Sequence, residues 1–147
     1  MLGNLQITGG NKGNYVQVTD ASINTHTSVL NMAGLSSGVT IITPVSTGVL
    51  LVLLTFNRDN SGTSAETFKI MYGTGNGPVA GAVETGSQAG ISMLLPQGST
   101  QVTGMAMNAI ITGLTLGTGI WIDLSASLAS GFLSIDQVTL TVIEYVG

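Results

Sequence analysis

The chain has 147 residues, enough for one domain with a real core. Only 7% of them are charged, against roughly 25% in ordinary soluble proteins, and the net charge is -4. The only cations, Lys12, Arg58 and Lys69, form no basic cluster, which argues against binding along a nucleic-acid backbone; without cysteine there can be no disulfide or thiolate metal site.

The amino end, MLGNLQITGGNKGNYVQVTD, lacks the basic segment and apolar run of a signal peptide. Residues 1–37 are irregular, although NYVQVTD and TSVLNMAGL each suit a short strand. They are expected to form either an amino-terminal arm, able to cross onto a neighbouring chain, or ordinary first strands. Residues 38–147 are expected to form the main β-domain.

The longest uncharged stretch, Val39 to Phe56, contains the six apolar residues Val49 to Leu54. A membrane helix needs about 20 predominantly apolar residues, and Pro44, Ser46, Thr47 and Gly48 interrupt this stretch. It reads better as two strands, Val39–Thr43 and Val49–Phe56, joined by PVSTG. Val49, Leu51 and Leu53 face one side, and Leu50, Val52, Leu54 and Phe56 the other. A strand apolar on both faces is covered on both.

NRDNSGTS is expected to be a turn; in TFKIMYG, Phe68, Ile70 and Tyr72 alternate with Lys69 and Met71. GTGNGPVAG, ETGSQAG, PQGST, LGTG and LASG are further turn clusters. QVTGMAMNAIITGL fits helical spacing or a half-buried strand, and its glycines and threonines favour the strand. In GIWIDLSASLAS, Ile120, Ile122, Leu124, Ala126 and Leu128 point one way, with Trp121, Asp123, Ser125 and Ser127 on the wet side. At the carboxyl end Val138, Leu140 and Val142 point inward. Beyond Val142 the phase blurs: Ile143 and Tyr145 fall outward and Glu144 inward, so either a bulge re-aims the strand or the outer face meets a partner. Frequent short strands between Gly-, Asn- and Ser-rich turns make the chain all-β, a sandwich or barrel.

Catalytic chemistry finds little support. His26 has no neighbouring acid or second histidine, and no motif pairs any of the seven carboxylates. NRDNSGTSAE echoes a calcium loop, but Phe68 stands where the bidentate acid belongs; a different calcium site using Asp59 and Glu66 stays open. GTGNGP leads to Pro78 rather than into a helix, so it is no phosphate loop. Trp121 is the aromatic best suited to binding. It either meets a partner or sister copy, lies under a segment of its own chain, or stacks on a sugar. With so little charge, solubility rests on neutral polar residues, which suits a surface packed against copies of itself or a scaffold.

The stretch ITGLTLGTGIWIDLSASLASGFLSIDQVTLTVIEYVG resembles the carboxyl-terminal half of small jelly-roll proteins on tailed-phage particles. Thr112, Gly113, Leu114 and Gly117 match their turn. Trp121, Asp123 and Leu124 match the following strand with the aromatic one place out of step, and Leu140, Val142, Ile143 and Glu144 match the last strand. TPVSTGVLLVLLTF looks like the paired inner strands of the same domains, which are related to the tumour-necrosis-factor and complement-like jelly rolls. The resemblance implies a jelly-roll β-sandwich, a homotrimer, and a non-enzymatic structural role as a head decoration, or cement, protein. Its partners would be sister copies and the major capsid protein, its place the virion. No cofactor, metal, nucleic acid, membrane or small-molecule substrate is expected. Leu5, Ile7, Tyr15, Val16, Val18, Trp121, Ile143 and Tyr145 are the expected oligomer or shell contacts. The rival reading is the receptor-binding tip of a tail fibre, holding cell-surface glycans with loops such as Arg58–Ser64 or Gly73–Gly81.

Overall fold

The structure is a computed structural model describing residues 2–6, 14–24, 31–60, 64–96, 102–128, 130 and 133–146, with residues 2–6 and 14–24 described by their strand pairing alone. The described residues form nine strands and no helix: β1 (Leu2–Gln6), β2 (Asn14–Asn24), β3 (Asn31–Met32), β4 (Leu50–Asn60), β5 (Glu66–Thr74), β6 (Ser87–Leu95), β7 (Thr103–Ile111), β8 (Ile120–Leu128) and β9 (Leu133–Glu144). They build two sheets, one ordered β1-β2-β9-β4-β7 and the other β3-β8-β5-β6. Every pairing within them is antiparallel. The chain crosses between sheets after β2, β3, β4, β6, β7 and β8, so β9 comes to lie between β2 and β4, and β8 between β3 and β5. That winding is a jelly roll.

The core is built from one alternating set of each inner strand. Leu50, Val52, Leu54 and Phe56 of β4 and Val138, Leu140 and Val142 of β9 face Phe68 and Ile70 of β5 and Ile120, Ile122 and Leu124 of β8. The Phe56 and Phe68 rings meet across the sandwich with centroids 5.1 Å apart, tilted at 49°.

Several local expectations need correcting. Val39–Thr43 forms no strand and carries a single isolated bridge to the sheet, Ile42–Ile120. Here the N–H groups of both Ile41 and Ile42 donate to the Ile120 carbonyl, pinching the backbone and burying both side chains instead of alternating them. Conversely, β4 runs on through Asn57–Asn60, which composition marks as a turn. Its inward positions there, Arg58 and Asn60, both find Glu66 as a partner, so the strand can continue into the interior. β6 begins inside the ETGSQAG cluster, and the 103–111 segment is a strand. The register irregularity of β9 lies where Thr55 pairs with Thr139 but Asn57 with Asp136. It falls at Gln137, whose φ is 51°, well before Val142. The first segment pairs within its own chain, β2 with β9 and β1 with β2.

Candidate interaction surface

The five-stranded sheet has one face in the core and one turned outward. On β4 the alternation is sharp: even-numbered residues are buried, while Leu51, Leu53, Thr55, Asn57 and Asp59 form the outer set. Antiparallel partners share a face, so register assembles rows across the sheet. The first row joins Ile143, Leu51 and Ile110, and its register continues to Tyr15 on β2 and Leu5 on β1. The next joins Thr141, Leu53 and Asn108, and the one after it Thr139, Thr55 and Ala106. Farther along stand Asn57, bonded to the Gln137 side chain at 2.9 Å, and Asp59. The face thus grades from apolar at the end where β9 finishes to polar and charged at the other. Ile110 is 64% exposed, Leu53 40% and Ile143 36%. No described segment of the chain covers them.

A second apolar region lies at the edge where β6 and β7 meet. Ile91 is 86% exposed, on a bulge where β6 slips register against β5 between Phe68 and Ile70. Gly90, at φ 68°, lets the bulge press on β7, since a Cβ there would fall 3.2 Å from the Cβ of Ala109. Between the strands opens a groove of about 400 Å³ lined by Ile91, Ser92, Met93, Ala106, Met107 and Asn108. Leu94 stands exposed beside it.

The four-stranded sheet behaves differently, and here the reading of Trp121 changes. Over β8 and the adjoining part of β5 its outer face is covered by the 31–37 and 76–86 segments, tied together by Met32 N–H to Ala82 O, Gly81 N–H to Met32 O and Gly38 N–H to Gly77 O. Trp121 is buried beneath them with Met32 and Met71, and its indole N–H donates to Thr74 O at 3.1 Å. The ring fits because Gly73 and Gly86 leave room: a Cβ would come within 2.5 Å of it at the first and 2.4 Å at the second. Trp121 is therefore sealed inside its own chain and offers neither a partner contact nor a sugar platform. The polar residues beside it are equally enclosed. Ser125 donates to Glu84, which pairs with Lys69 at 2.9 Å. Asp123 accepts N–H bonds from Gly34 at 2.9 Å, Leu35 at 3.0 Å and Leu124 at 2.8 Å. Burial nevertheless pushes its carboxyl up to about 7.

The other expected contacts divide by register. Val16 and Val18 pair in register with Val142 and Leu140, whereas Tyr15 pairs with Ile143 and Leu5 with Tyr15. Tyr145 is 62% exposed just past the end of β9. Ile7 and His26 lie outside the described residues. Glu66 is buried and pairs with Arg58, at 2.6 Å, and with Asn60, whereas Asp59 stands on the outer face of β4, so the two acids are not brought together. Among the described residues no three His, Cys, Asp or Glu side chains gather as metal ligands.

No family model and no curated protein sequence matches the chain. Solved structures resemble it at low identity. Eiger, a tumour-necrosis-factor protein of S. frugiperda, is 13% identical with a TM-score of 0.47, over 98% of this chain and 90% of that one. The CBM22-1 xylan-binding domain of Paenibacillus barcinonensis Xyn10C is 9% identical with a TM-score of 0.41, over 95% and 79%. A chain of the T13 IBDV viral particle is 14% identical with a TM-score of 0.45, over 92% and 36%. These likenesses are too distant to bear on activity, and the jelly-roll assignment rests on this chain's own strand order.

Sequence reasoning missed Leu51, Leu53 and Ile110 as members of the outward face. Alternation along β4 and β7 identifies the sets, but which set faces outward depends on what covers it. It did place Glu144 inward, and the reason is now visible: the carboxylate is buried and accepts the backbone N–H groups of Val45, Ser46 and Thr47.

Proposed function

We propose that this chain is a structural protein of a virus particle, a jelly roll that associates with sister copies as a trimer and decorates a tailed-phage head. The observation that carries the reading is the uncovered apolar row Ile143–Leu51–Ile110 on the outer face of the five-stranded sheet. Large exposed apolar patches on soluble domains mark interaction sites, and this one sits on a rigid sheet rather than in a cleft. The likeness of the 112–144 stretch to phage decoration proteins points the same way.

The two apolar regions favour a ring. Unlike surfaces on one chain, the graded face and the β6–β7 edge, meet head to tail, and such a contact closes when the rotation between copies allows it. A footprint of ~800 Å² per partner is usual for a stable contact, and association entropy offsets much of the gain from burying it. Attachment to the major capsid protein then gains from multivalency, because one trimer presents several footprints at high effective concentration. The role is architectural rather than catalytic. Cryo-EM of the native particle tests it: density for this jelly roll on the head lattice is expected, and density at a tail-fibre tip would overturn the decoration reading.

A further inference from the structure

We infer that the loop end of the sandwich carrying Val45, Leu116 and Tyr145 belongs to the surface buried between copies, and that Glu144 is the residue that positions it. This rests on the self-association proposed above. The three side chains come from separate segments, yet each is at least half exposed: Val45 53%, Leu116 50% and Tyr145 62%. Backbone bonds tie the segments together, from Gly117 N–H to Pro44 O at 2.8 Å, Tyr145 N–H to Val49 O at 2.9 Å and Leu114 N–H to Gly48 O at 3.2 Å. The Thr47 hydroxyl donates to the Tyr145 carbonyl. Gly48, at φ 66°, lies so close to the next turn that a Cβ would fall 2.3 Å from the Leu114 carbonyl oxygen.

At the centre of this end is Glu144. Its carboxylate accepts N–H bonds from Val45 at 2.9 Å, Ser46 at 2.7 Å and Thr47 at 3.0 Å, with Gly48 at 3.4 Å. A run of N–H groups converging on one carboxylate is an anion nest, here closed from within the chain. It fixes the 45–48 loop before any partner arrives, which lowers the ordering cost of association.

A second copy is the occupant this end fits. Tyr145 follows Ile143 by two residues and bonds to Val49, two residues before Leu51, so Tyr145 and Val49 extend the face that carries the apolar row by one register step toward this end. Among residues 43–51, 74–79, 110–120 and 143–146 the only Asp, Glu, Lys, Arg or His is Glu144, and it is buried. A lipid surface is typically met by basic residues, and none stands here; a neutral surface of a sister chain needs no charge.

The clasp is acid-sensitive. The 44–48 loop, the start of β4 and the 114–118 turn contribute no acidic or basic side chain facing Glu144; the titratable residue next to it in the chain is Tyr145. Burial raises the Glu144 carboxyl, but the four N–H bonds outweigh it and leave it below its ordinary value. The clasp is therefore intact above the ordinary carboxylate range and is lost as pH falls through the lowered value.

The test is Glu144→Gln in the full chain, which turns an amide NH2 against the donors of the nest. Association is measured by sedimentation equilibrium, and order in the loop by hydrogen exchange at residues 45–48. The variant is expected to keep its β-sheet circular dichroism, exchange faster at 45–48, and associate about tenfold or more weakly per copy. Wild-type association should weaken as pH falls below about 4.5, the ordinary value of such a carboxyl, and the variant's should respond less over the same range. If the variant associates like wild type although its 45–48 amides exchange quickly, the inference is overturned and the self-association proposal stands. Should Glu144→Gln fail to fold, the double variant Val45→Ser, Leu116→Ser takes its place: weaker association supports the inference and unchanged association overturns it. A wild-type chain that stays monomeric overturns the self-association proposal, and this inference with it.

Discussion

Replacing Ile110 by serine removes the most exposed member of the outer row without touching the core. Its side chain projects from β7 away from Met107, Ala109 and Ile111, which face inward. Fully burying an isoleucine is worth about 1.5–3 kcal/mol, and 64% of this residue is still open to water, so a sister copy can recover about 1–2 kcal/mol there. In a threefold assembly the loss is repeated in each copy and reaches about 3–6 kcal/mol, or about 10²–10⁴ in the overall association constant. The fold itself should barely respond, since surface substitutions usually cost within about 0.5 kcal/mol. Mass photometry over a micromolar-to-nanomolar dilution series, beside thermal melts of the same samples, reads both quantities. Assembly at the same concentrations as wild type would refute the assignment of this face. So would a large fall in melting temperature with assembly unchanged, because it would place Ile110 in the core.

Three further outcomes follow from the interior. Gly86→Ala should lower stability by about 2–4 kcal/mol, visible in denaturant melts with altered tryptophan emission, because its methyl would lie 2.4 Å from the Trp121 ring at a φ of 83°. Arg58→Ala strands the Glu66 charge and should cost about 3–5 kcal/mol, whereas the double variant Arg58→Met, Glu66→Gln should recover much of that loss in the same melts. It removes a pair whose Arg58 Nε and Glu66 Oε2 have no partner. Asp123 sets a pH dependence: its carboxyl stands near 7 folded against 3.8 unperturbed, so the folded chain binds the extra proton between those values. Stability should therefore fall as pH rises from about 4 to about 7, by up to about 4 kcal/mol, and urea melts of Asp123→Asn should be much flatter over that window.

How far the sequence could be read depends on what each pattern encodes. Period-two alternation identified β8 and β9, and Phe68, Ile70 and Tyr72 of β5, because the pleat alone enforces it. It could not reveal that the 31–37 and 76–86 segments fold over β8, so Trp121, Asp123 and Ser125 read as wet when they are enclosed. That closure depends on contacts far apart in the chain, such as the bonds from the Gly34 and Leu35 amides to Asp123. Asn57 to Asn60 read as a turn because local propensity takes no account of Glu66 waiting as a buried partner. For the proposed interaction surface, Ile143 and Tyr145 were legible as outward residues at a strand end. Ile110 and Leu51 join them only through register across three strands, which no single segment records.

The most direct test of the central claim, that copies of this chain bury the graded face of the five-stranded sheet against one another, is the mass of the purified chain at micromolar concentration by sedimentation equilibrium. Three chains of 14.9 kDa per particle is the expected result, with the association constant little affected by salt because the row is uncharged. A single 14.9 kDa species at every concentration would contradict it.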